Sequence, residues 1–363
     1  MSGKEKFEEK NRRLDTALAG REPDRVPLAP INQTFGVAYT GHTMAEALYD
    51  FDVAAQAEMK FVQDFDPDIC MGCSVNFAGY GPAFDLVGLK IFQWAGQKGS
   101  ICSDMSIHQY VEKPYMSEDD YPALLEDMSG YFARKIFPQV MECAAPFAGL
   151  DFSGLFGMGA LQLLAQFADP KFQEAVAVMG KAGAIIMEVA KKNAAFEQAI
   201  MEAGYPLLIK GMACAAFDLI SDSLRGTIGM SEDILNQPDM VLAAIERMHR
   251  MAVDVALSSA RMGSGKYVMI PLHKGIDSFM SDEHYAKFYW PTLKDLVEKI
   301  VEAGYTPYIL TEGPYYSRLK YLEELPEHKV VLAFTDMDMA VVKKALGARH
   351  CITGGFNEHL LEV

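Results

Sequence analysis

The sequence predicts an α/β protein, a (β/α)8 TIM barrel with an N-terminal extension built from helices and a hairpin. Strands and helices alternate regularly from residue 266 to residue 356, which is typical of parallel βα units. The predicted strands contain continuous apolar runs, as expected where both faces of a sheet are covered. The chain has 363 residues, of which 50% are hydrophobic, enough to bury one large core.

Four strands of this region are predicted from apolar runs that end in turn residues. They are KYVMIPLH (266–273), TPYILTEG (306–313), KVVLAFTD (329–336) and HCITGGF (350–356). The first connecting helix is expected over 281–303, with a kink at Pro291 because proline removes a backbone donor. The next two helices are expected to end near Leu325 and Leu346.

The region before residue 266 is predicted to supply the rest of the barrel and its extension. Helices are expected over 4–20, 43–64, 118–145, 169–203 and 237–262, strands over 66–70 and 205–211, and a hairpin within 84–96. There are no repeats and no linker, so 1–363 is interpreted as a single domain. Only NEHLLEV (357–363) follows the last strand, so the closing helix of the barrel is expected to be unusual or missing.

The composition argues against several kinds of partner. The formal net charge is −16, and the acidic residues are spread along the chain, so we expect neither a nucleic-acid partner nor a polybasic membrane patch. No apolar run reaches the length of a membrane span. Six cysteines are few for this length, and the first residues are charged, which predicts location in the reducing cytoplasm.

Three polar residues end successive predicted strands and are the candidate catalytic residues. They are His273, Glu312 and Asp336. The carboxyl ends of barrel strands form one rim, and that rim carries the chemistry of barrel enzymes. A single carboxylate at a strand end is as often a helix N-cap. Three polar residues from successive strands favour a shared pocket.

Five further residues follow predicted strands and are candidates for substrate binding at the barrel mouth. They are Asn32, Phe35, Phe217, Asp218 and Tyr315. An aromatic ring at the mouth can stack on an aromatic substrate. The same rings can equally seal the top of the core.

Several segments resemble the uroporphyrinogen decarboxylase superfamily over nearly the whole chain. These segments are GREPDRVPL (20–28), FDLISDSLRG (217–226), FMSDEHYAKFYWPTLKDLV (279–297), ILTEGPYYSRLKYLEELP (309–326), TDM (335–337) and CITGGF (351–356). The resemblance implies a (β/α)8 barrel, in agreement with the strand pattern. It does not point to the decarboxylase itself, whose Arg-rich motif grips the substrate carboxylates. The corresponding INQTFGVAYTG (31–41) contains no arginine.

The other branch of that superfamily contains corrinoid-dependent methyltransferases. Members that use coenzyme M contain an HxCG motif and a later cysteine, which together bind zinc. Here Leu310 and Glu312 stand at the His and Cys positions, so the chain is more similar to the demethylating members. Those members move a methyl group from a donor such as a methoxylated aromatic to the cobalt of a corrinoid protein.

The resemblance therefore implies a site built around Glu312. A zinc ion held by Glu312 with His273 or Asp336 would act as a Lewis acid on the leaving oxygen. A protonated carboxyl group would serve instead as a general acid. The expected partners are a small methylated substrate and a corrinoid (cobalamin) protein, with a homodimer as a possible assembly.

Three alternatives remain open at this stage. The first is a decarboxylase of the uroporphyrinogen decarboxylase type, which a catalytic Asp close to cationic groups would favour. The second is a zinc-dependent methyltransferase that passes the methyl group to coenzyme M or folate, which a Cys–His zinc site would favour. The third is a non-catalytic corrinoid- or tetrapyrrole-binding module, in which replacing Glu312 leaves ligand binding unharmed.

Overall fold

The computed structural model describes residues 2–152 and 154–355, which group into two compact units. Unit 1 comprises Met1–Pro30, Pro67–Gly72 and Ile200–Val363, and unit 2 comprises Ile31–Asp66 and Cys73–Ala199. The single-domain assignment stays a prediction. Within the described residues, no helix has both the length and the apolar character needed to cross a membrane.

Unit 1 contains a parallel sheet whose strands are adjacent in chain order. The strands are β1 (Ile209–Met212), β2 (Tyr267–Leu272), β3 (Thr306–Thr311), β4 (Val331–Phe334) and β5 (Cys351–Gly354). Leu272 pairs with Thr311, and Thr311 pairs with Phe334. Strands β2, β3 and β4 therefore end side by side, and the residues that follow them meet at one edge.

Both faces of the central strands β2, β3 and β4 are largely buried, which explains their continuous apolar runs. Val268 and Ile270 of β2 are fully buried on one face. Tyr267 and Met269 of the same strand pack on the other face in a cluster with Leu14 of the N-terminal helix. Alternate residues of a strand point to opposite faces, so a strand covered on both sides must be apolar throughout.

The helices of unit 1 include those predicted over 4–20 and 237–262 and those predicted after β2, β3 and β4, and Gly226–Asn236 is an additional helix. The helices are Gly3–Leu18, Ala216–Ile220, Gly226–Asn236, Pro238–Met262, Asp282–His284, Trp290–Glu302, Leu319–Leu322 and Met339–Leu346, with π-helical turns at Ser221–Arg225 and Tyr285–Tyr289 and a 3-10 turn at Tyr316–Arg318. The irregularity expected at Pro291 is present, because the π-helical turn ends just before it.

Two backbone contacts link further segments to the row of strands beyond β1. Cys70 forms an isolated parallel bridge with Leu207, and the Asp68 N–H donates to the Leu28 carbonyl at 2.8 Å. The strand predicted over 66–70 is thus a single bridge. Among the described residues the regular sheet has five strands, so the α/β class is confirmed and a full barrel is not shown. The segment 357–363, where a closing helix was considered, lies outside the described residues.

The N-terminal helix is tied to unit 1 by a buried charge network around Asp68. The Asp68 carboxylate accepts hydrogen bonds from Arg13 (2.6 Å), Arg25 (2.5 and 2.8 Å) and the Leu28 N–H (2.7 Å). Arg13 also bonds Asp24 through two nitrogens. Asp24 and Arg25 of the GREPDRVPL segment therefore belong to this network.

Unit 2 is mainly helical. Its helices are Phe35–Tyr39, Met44–Tyr49, Phe51–Phe65, Gly81–Val87, Tyr121–Glu126, Met128–Tyr131, Phe137–Val140, Gly159–Gln166 and Pro170–Glu202, the last of which has its final residues counted in unit 1. It also has 3-10 turns at Glu118–Asp120 and Glu142–Gly149 and a π-helical turn at Phe132–Ile136. A two-residue antiparallel pairing joins Phe92–Gln93 to Gln109–Tyr110.

Two predictions for unit 2 are wrong in detail. The segment 84–96 does not form a hairpin with itself, because Pro82 begins the helix Gly81–Val87 and Gly88 ends it in a left-handed conformation. The single helix expected over 118–145 is broken. Asp127 caps a new helix by accepting the Gly130 N–H, and a π-helical turn precedes Pro138.

Candidate active site

The ends of β2 and β3 bring together His273 and Glu312. Each residue comes directly after its strand, and the paired register of Leu272 with Thr311 places them opposite each other. The distance from His273 Nε2 to Glu312 Oε2 is 3.7 Å, with 39% and 49% of the two side chains exposed. These two predicted catalytic residues therefore share one accessible site.

Asp222 holds the other ring nitrogen of His273. Asp222 Oδ2 lies 2.6 Å from His273 Nδ1. This hydrogen bond is the main reason that the pKa of His273 rises to about 9, against the opposing effect of burial; the charges of Asp218, Asp222 and Glu312 add to the rise. The ring is therefore an imidazolium at neutral pH, and its Nε2–H lies on the side of Glu312.

A buried carboxylate fixes the backbone that carries His273. Asp218 is 2% exposed and accepts the backbone N–H groups of His273 (3.0 Å) and Lys274 (3.1 Å) and the Tyr289 hydroxyl (2.6 Å). Burial, aided by the nearby charge of Asp222, raises the pKa of Asp218. Asp218 therefore orients the end of β2 rather than facing solvent.

Lys274 adds a second cation to the site. Its ammonium donates to Thr227 Oγ1 at 2.7 Å and lies 3.7 Å from Asp222 Oδ1. Asp222 thus lies between two basic side chains, with one carboxylate oxygen on His273 and the other near Lys274.

Three predicted substrate-binding residues occupy the core beneath the strand ends. Phe217 and Tyr315 are 0% exposed and Asp218 is 2% exposed. Phe217 packs its ring on Tyr289 at a centroid distance of 5.6 Å, and the Tyr315 hydroxyl lies against Gly275. Their prediction as lining residues is corrected here, because packing covers these side chains on all sides and they support the site from below.

The other two predicted substrate-binding residues belong to unit 2. Asn32 donates to Glu58 Oε2 at 2.9 Å. Phe35 is 47% exposed, and its ring stacks on that of Tyr39 at 5.7 Å. Contact of Asn32 or Phe35 with a substrate stays a prediction.

Asp336 is not joined to the site. It is exposed, and among the described residues no hydrogen bond or ion pair links it to His273 or Glu312. The neighbouring Thr335 makes the contacts to β3, since its hydroxyl donates to the Thr311 carbonyl at 3.0 Å and accepts the Gly313 N–H at 3.2 Å.

Of the three predicted zinc ligands, the described residues bring together only His273 and Glu312. A catalytic zinc needs three protein ligands, and only His273 and Glu312 lie close together, with the other His273 nitrogen taken by Asp222. No group of three or more His, Cys, Asp or Glu side chains that could hold a metal ion occurs in the described part of the chain. Zinc stays a prediction.

Sequence reasoning missed Asp222, Lys274 and Tyr289. One signal was available, because Asp218 and Asp222 are four residues apart just after a predicted strand, and such residues share one face of a helix. No sequence signal indicates that a π-helical turn would begin at Ser221 and direct Asp222 toward β2.

Comparisons with known proteins give a fold but no family. No family model matches the chain, and no curated protein matches it. Among solved structures, a methyltransferase from Methanosarcina mazei is similar, with a TM-score of 0.53, 12% sequence identity, and coverage of 96% of this chain and 93% of the other. At this identity the likeness shows a shared fold alone.

Proposed function

We propose that this protein is a methyltransferase that moves a methyl group from a small methylated donor, such as a methoxylated aromatic, to the cobalt of a corrinoid protein. The observation that carries the proposal is the line of Asp222, His273 and Glu312 at the strand ends. The fold shared with the Methanosarcina mazei methyltransferase is in keeping with it, as is the resemblance of segments such as ILTEGPYYSRLKYLEELP to the uroporphyrinogen decarboxylase superfamily.

The chemistry needs a proton for the leaving oxygen. The corrinoid of the partner protein supplies the nucleophile that accepts the methyl group. As the carbon–oxygen bond breaks, its electron pair stays on the oxygen, and the Nε2 proton of His273 passes to that oxygen to give a phenol. His273 holds this proton at neutral pH because its pKa is raised to about 9.

The neighbouring residues position the acid. Asp222 accepts the Nδ1–H, which leaves the Nε2–H available to the substrate. Glu312 lies 3.7 Å from Nε2, so an oxygen bound between them can receive a proton from one side while Glu312 holds the product hydroxyl. These roles of Asp222, His273 and Glu312 are proton transfer and positioning, and the cobalt belongs to the partner protein.

The parallel sheet would then be part of a complete (β/α)8 barrel. The contacts of Leu28 with Asp68 and of Cys70 with Leu207 support this, because they extend the row of five strands in chain order. In such a barrel the site would lie on the rim where barrel enzymes carry their catalytic residues.

The test is a methyl-transfer assay with a methoxylated aromatic donor and a reduced corrinoid acceptor. Phenol release that requires the corrinoid is expected for the wild type. It is expected to fall in Glu312→Gln, by less than in a variant that lacks the His273 proton donor. Release of carbon dioxide from a carboxylated substrate, without methyl transfer, would overturn the proposal. Corrinoid binding without turnover by either protein would point to the binding module instead.

A decarboxylase is the second candidate, because one observation favours it. Asp222 is a carboxylate held between two cations, bonded to His273 at 2.6 Å and 3.7 Å from Lys274. Such a group can bind a proton donor of the substrate beside cations that attract a carboxylate. The zinc-dependent methyltransferase that passes the methyl group to coenzyme M or folate has less support. It would need a cysteine ligand at the site, and burial raises the pKa of the nearby Cys214 to about 11, which keeps its thiol protonated.

A further inference from the structure

Glu58 is a buried carboxylate of unit 2 that has no cationic partner among the described residues. It lies on the helix Phe51–Phe65 and is 1% exposed. Burial raises its pKa, and the only opposing influences are two neutral donors, Ser74 and Asn32. Buried carboxylates are normally paired, bound to a cation or protonated, because an isolated buried charge is costly.

The two carboxylate oxygens of Glu58 differ in their partners. Oε2 accepts hydrogen bonds from Ser74 Oγ at 2.6 Å and from Asn32 Nδ2 at 2.9 Å. Oε1 is buried and lacks a hydrogen-bond partner within the described residues, and the same is true of Asn32 Oδ1. Both atoms are acceptors, so the group that satisfies them must donate hydrogen bonds or carry positive charge.

A small cavity lies beside Ser74, the hydroxyl donor to Glu58 Oε2, and Glu58 and Asn32 are not among its lining residues. The cavity is lined by Gln33, Met44, Ser74, Asn76, Ile107 and His108, and its volume is about 10 Å³. That is room for one group of the size of a water molecule. Ser74 belongs to both features, because it lines the cavity and its hydroxyl donates to Glu58.

The backbone beside the cavity is strained at two positions. Gln33 has φ of 30° and Phe77 has φ of 65°, in a left-handed region that long or bulky side chains rarely adopt. These residues directly follow Asn32 and Asn76. Strained conformations persist where the surrounding structure fixes them, and they cluster at ligand sites.

We propose that Glu58 Oε1 and Asn32 Oδ1 bind a small monovalent cation of about the size of water, such as ammonium or potassium. The cation balances the buried carboxylate and satisfies both acceptor atoms. Ammonium also donates hydrogen bonds, and potassium has the same charge and a similar radius. A divalent ion fits less well, because only one carboxylate is present. This site goes beyond the proposed function, since it involves no reacting atom.

The test is thermal unfolding in ammonium, potassium and choline chloride at equal ionic strength, with choline as the cation that is too large to be buried beside Glu58. A saturable rise of about 2–4 °C in Tm over choline is expected in ammonium or potassium. The rise should disappear in Glu58→Gln. It should persist in the matched control Glu188→Gln, an exposed position of the same unit. A rise in ammonium alone would identify the cation as a hydrogen-bond donor.

Two results would overturn the proposal. One is the same Tm in all three salts, and the other is a cation effect that remains in Glu58→Gln. Should that variant fail to fold, wild-type crystals soaked in thallium decide the question. An anomalous peak beside Glu58 Oε1 supports the site, and a map without such a peak overturns it.

Discussion

The strand-end site of unit 1 and the Glu58 site of unit 2 balance their carboxylates in opposite ways. Asp222 and Glu312 both face the imidazolium of His273, and solvent reaches all three side chains. Glu58 is almost fully buried and receives only neutral donors. An exposed, paired set can exchange protons with a substrate, whereas a buried carboxylate without a counter-charge is suited to hold a group.

The largest effect is expected from His273→Asn, which removes the acid from the exposed site. Loss of a general acid lowers the rate by about 10²–10⁴-fold. The measurement is kcat/KM for phenol release. His249→Asn is the matched control, because His249 also pairs with an aspartate, Asp295, at 2.7 Å but lies elsewhere. Equal rates in His273→Asn and wild type would contradict the assignment of the acid.

Asp218→Asn should be the next most damaging change, and it acts on folding. The new amide has one acceptor oxygen in place of two. Its NH2 group must therefore face either the Lys274 N–H or the His273 N–H and the Tyr289 hydroxyl, all of which donate to the carboxylate in the wild type. We expect a loss of about 1–3 kcal/mol in the free energy of unfolding, measured by chemical denaturation. Asp254→Asn, at an exposed helix position, should cost nothing measurable. If the Asp218→Asn variant had the same free energy of unfolding as the wild type, Asp218 would not be needed to hold the end of β2.

Asp222→Asn should shift a pH profile rather than abolish activity. The Asp222 hydrogen bond is the largest cause of the raised His273 pKa. In the wild type, activity should fall as pH rises through about 9, where His273 loses its proton. In the variant this basic limb of kcat/KM should move to lower pH. The control Asp295→Asn should leave the basic limb of kcat/KM at the wild-type pH. If the limb also stays there in Asp222→Asn, the fall in activity at high pH is not caused by deprotonation of His273.

The same pKa shift makes His273 a source of stability that depends on pH. Its folded pKa lies above the ordinary value of 6.5, so the stabilisation is fully present below about 6.5 and is lost as pH rises through about 9.

The smallest effect on stability is expected from Glu58→Gln in a choline buffer. Burial raises the pKa of Glu58, so its contribution to stability is greatest at low pH and is lost as pH rises through the folded pKa. The neutral amide of the variant does not titrate, so it adds no pH dependence to the stability. It keeps one oxygen that can accept hydrogen bonds from Ser74 and Asn32. Unfolding free energy at neutral pH should be unchanged or higher by about 1 kcal/mol. A loss of about 3 kcal/mol or more would indicate that the charge itself stabilises unit 2.

The sequence predicted the sheet of unit 1 well because both of its faces are buried. Residues such as Val268 and Met269 must then all be apolar, and the run is visible in the sequence. The same logic placed His273 and Glu312, since a polar residue that ends such a run marks the strand end. Phe217 and Tyr315 were misplaced because an aromatic ring after a strand can face outward or inward, and only packing decides which.

The roles of Asp222 and Glu58 could not be predicted, because they depend on interactions between residues distant in the sequence. Asp222 lies 51 residues before His273, and its hydrogen bond depends on how a helix turns after β1. Glu58 looks like one more acidic residue on an amphipathic helix. Its burial arises from packing against segments around Asn32 and Ser74, which no periodicity within its own helix reports.

The π-helical turns at Ser221–Arg225 and Tyr285–Tyr289 are places where this fold can gain or lose a single residue. Each turn closes a wider ring than an α-helix does, so it accommodates one surplus residue. Deleting one residue would restore α-helical winding and rotate the preceding side chains by about 100° relative to those that follow. Asp222 and Tyr289 lie within these turns. Single-residue insertions and deletions are therefore a route by which such a protein can change which groups face its strand ends, while the sheet itself stays the same.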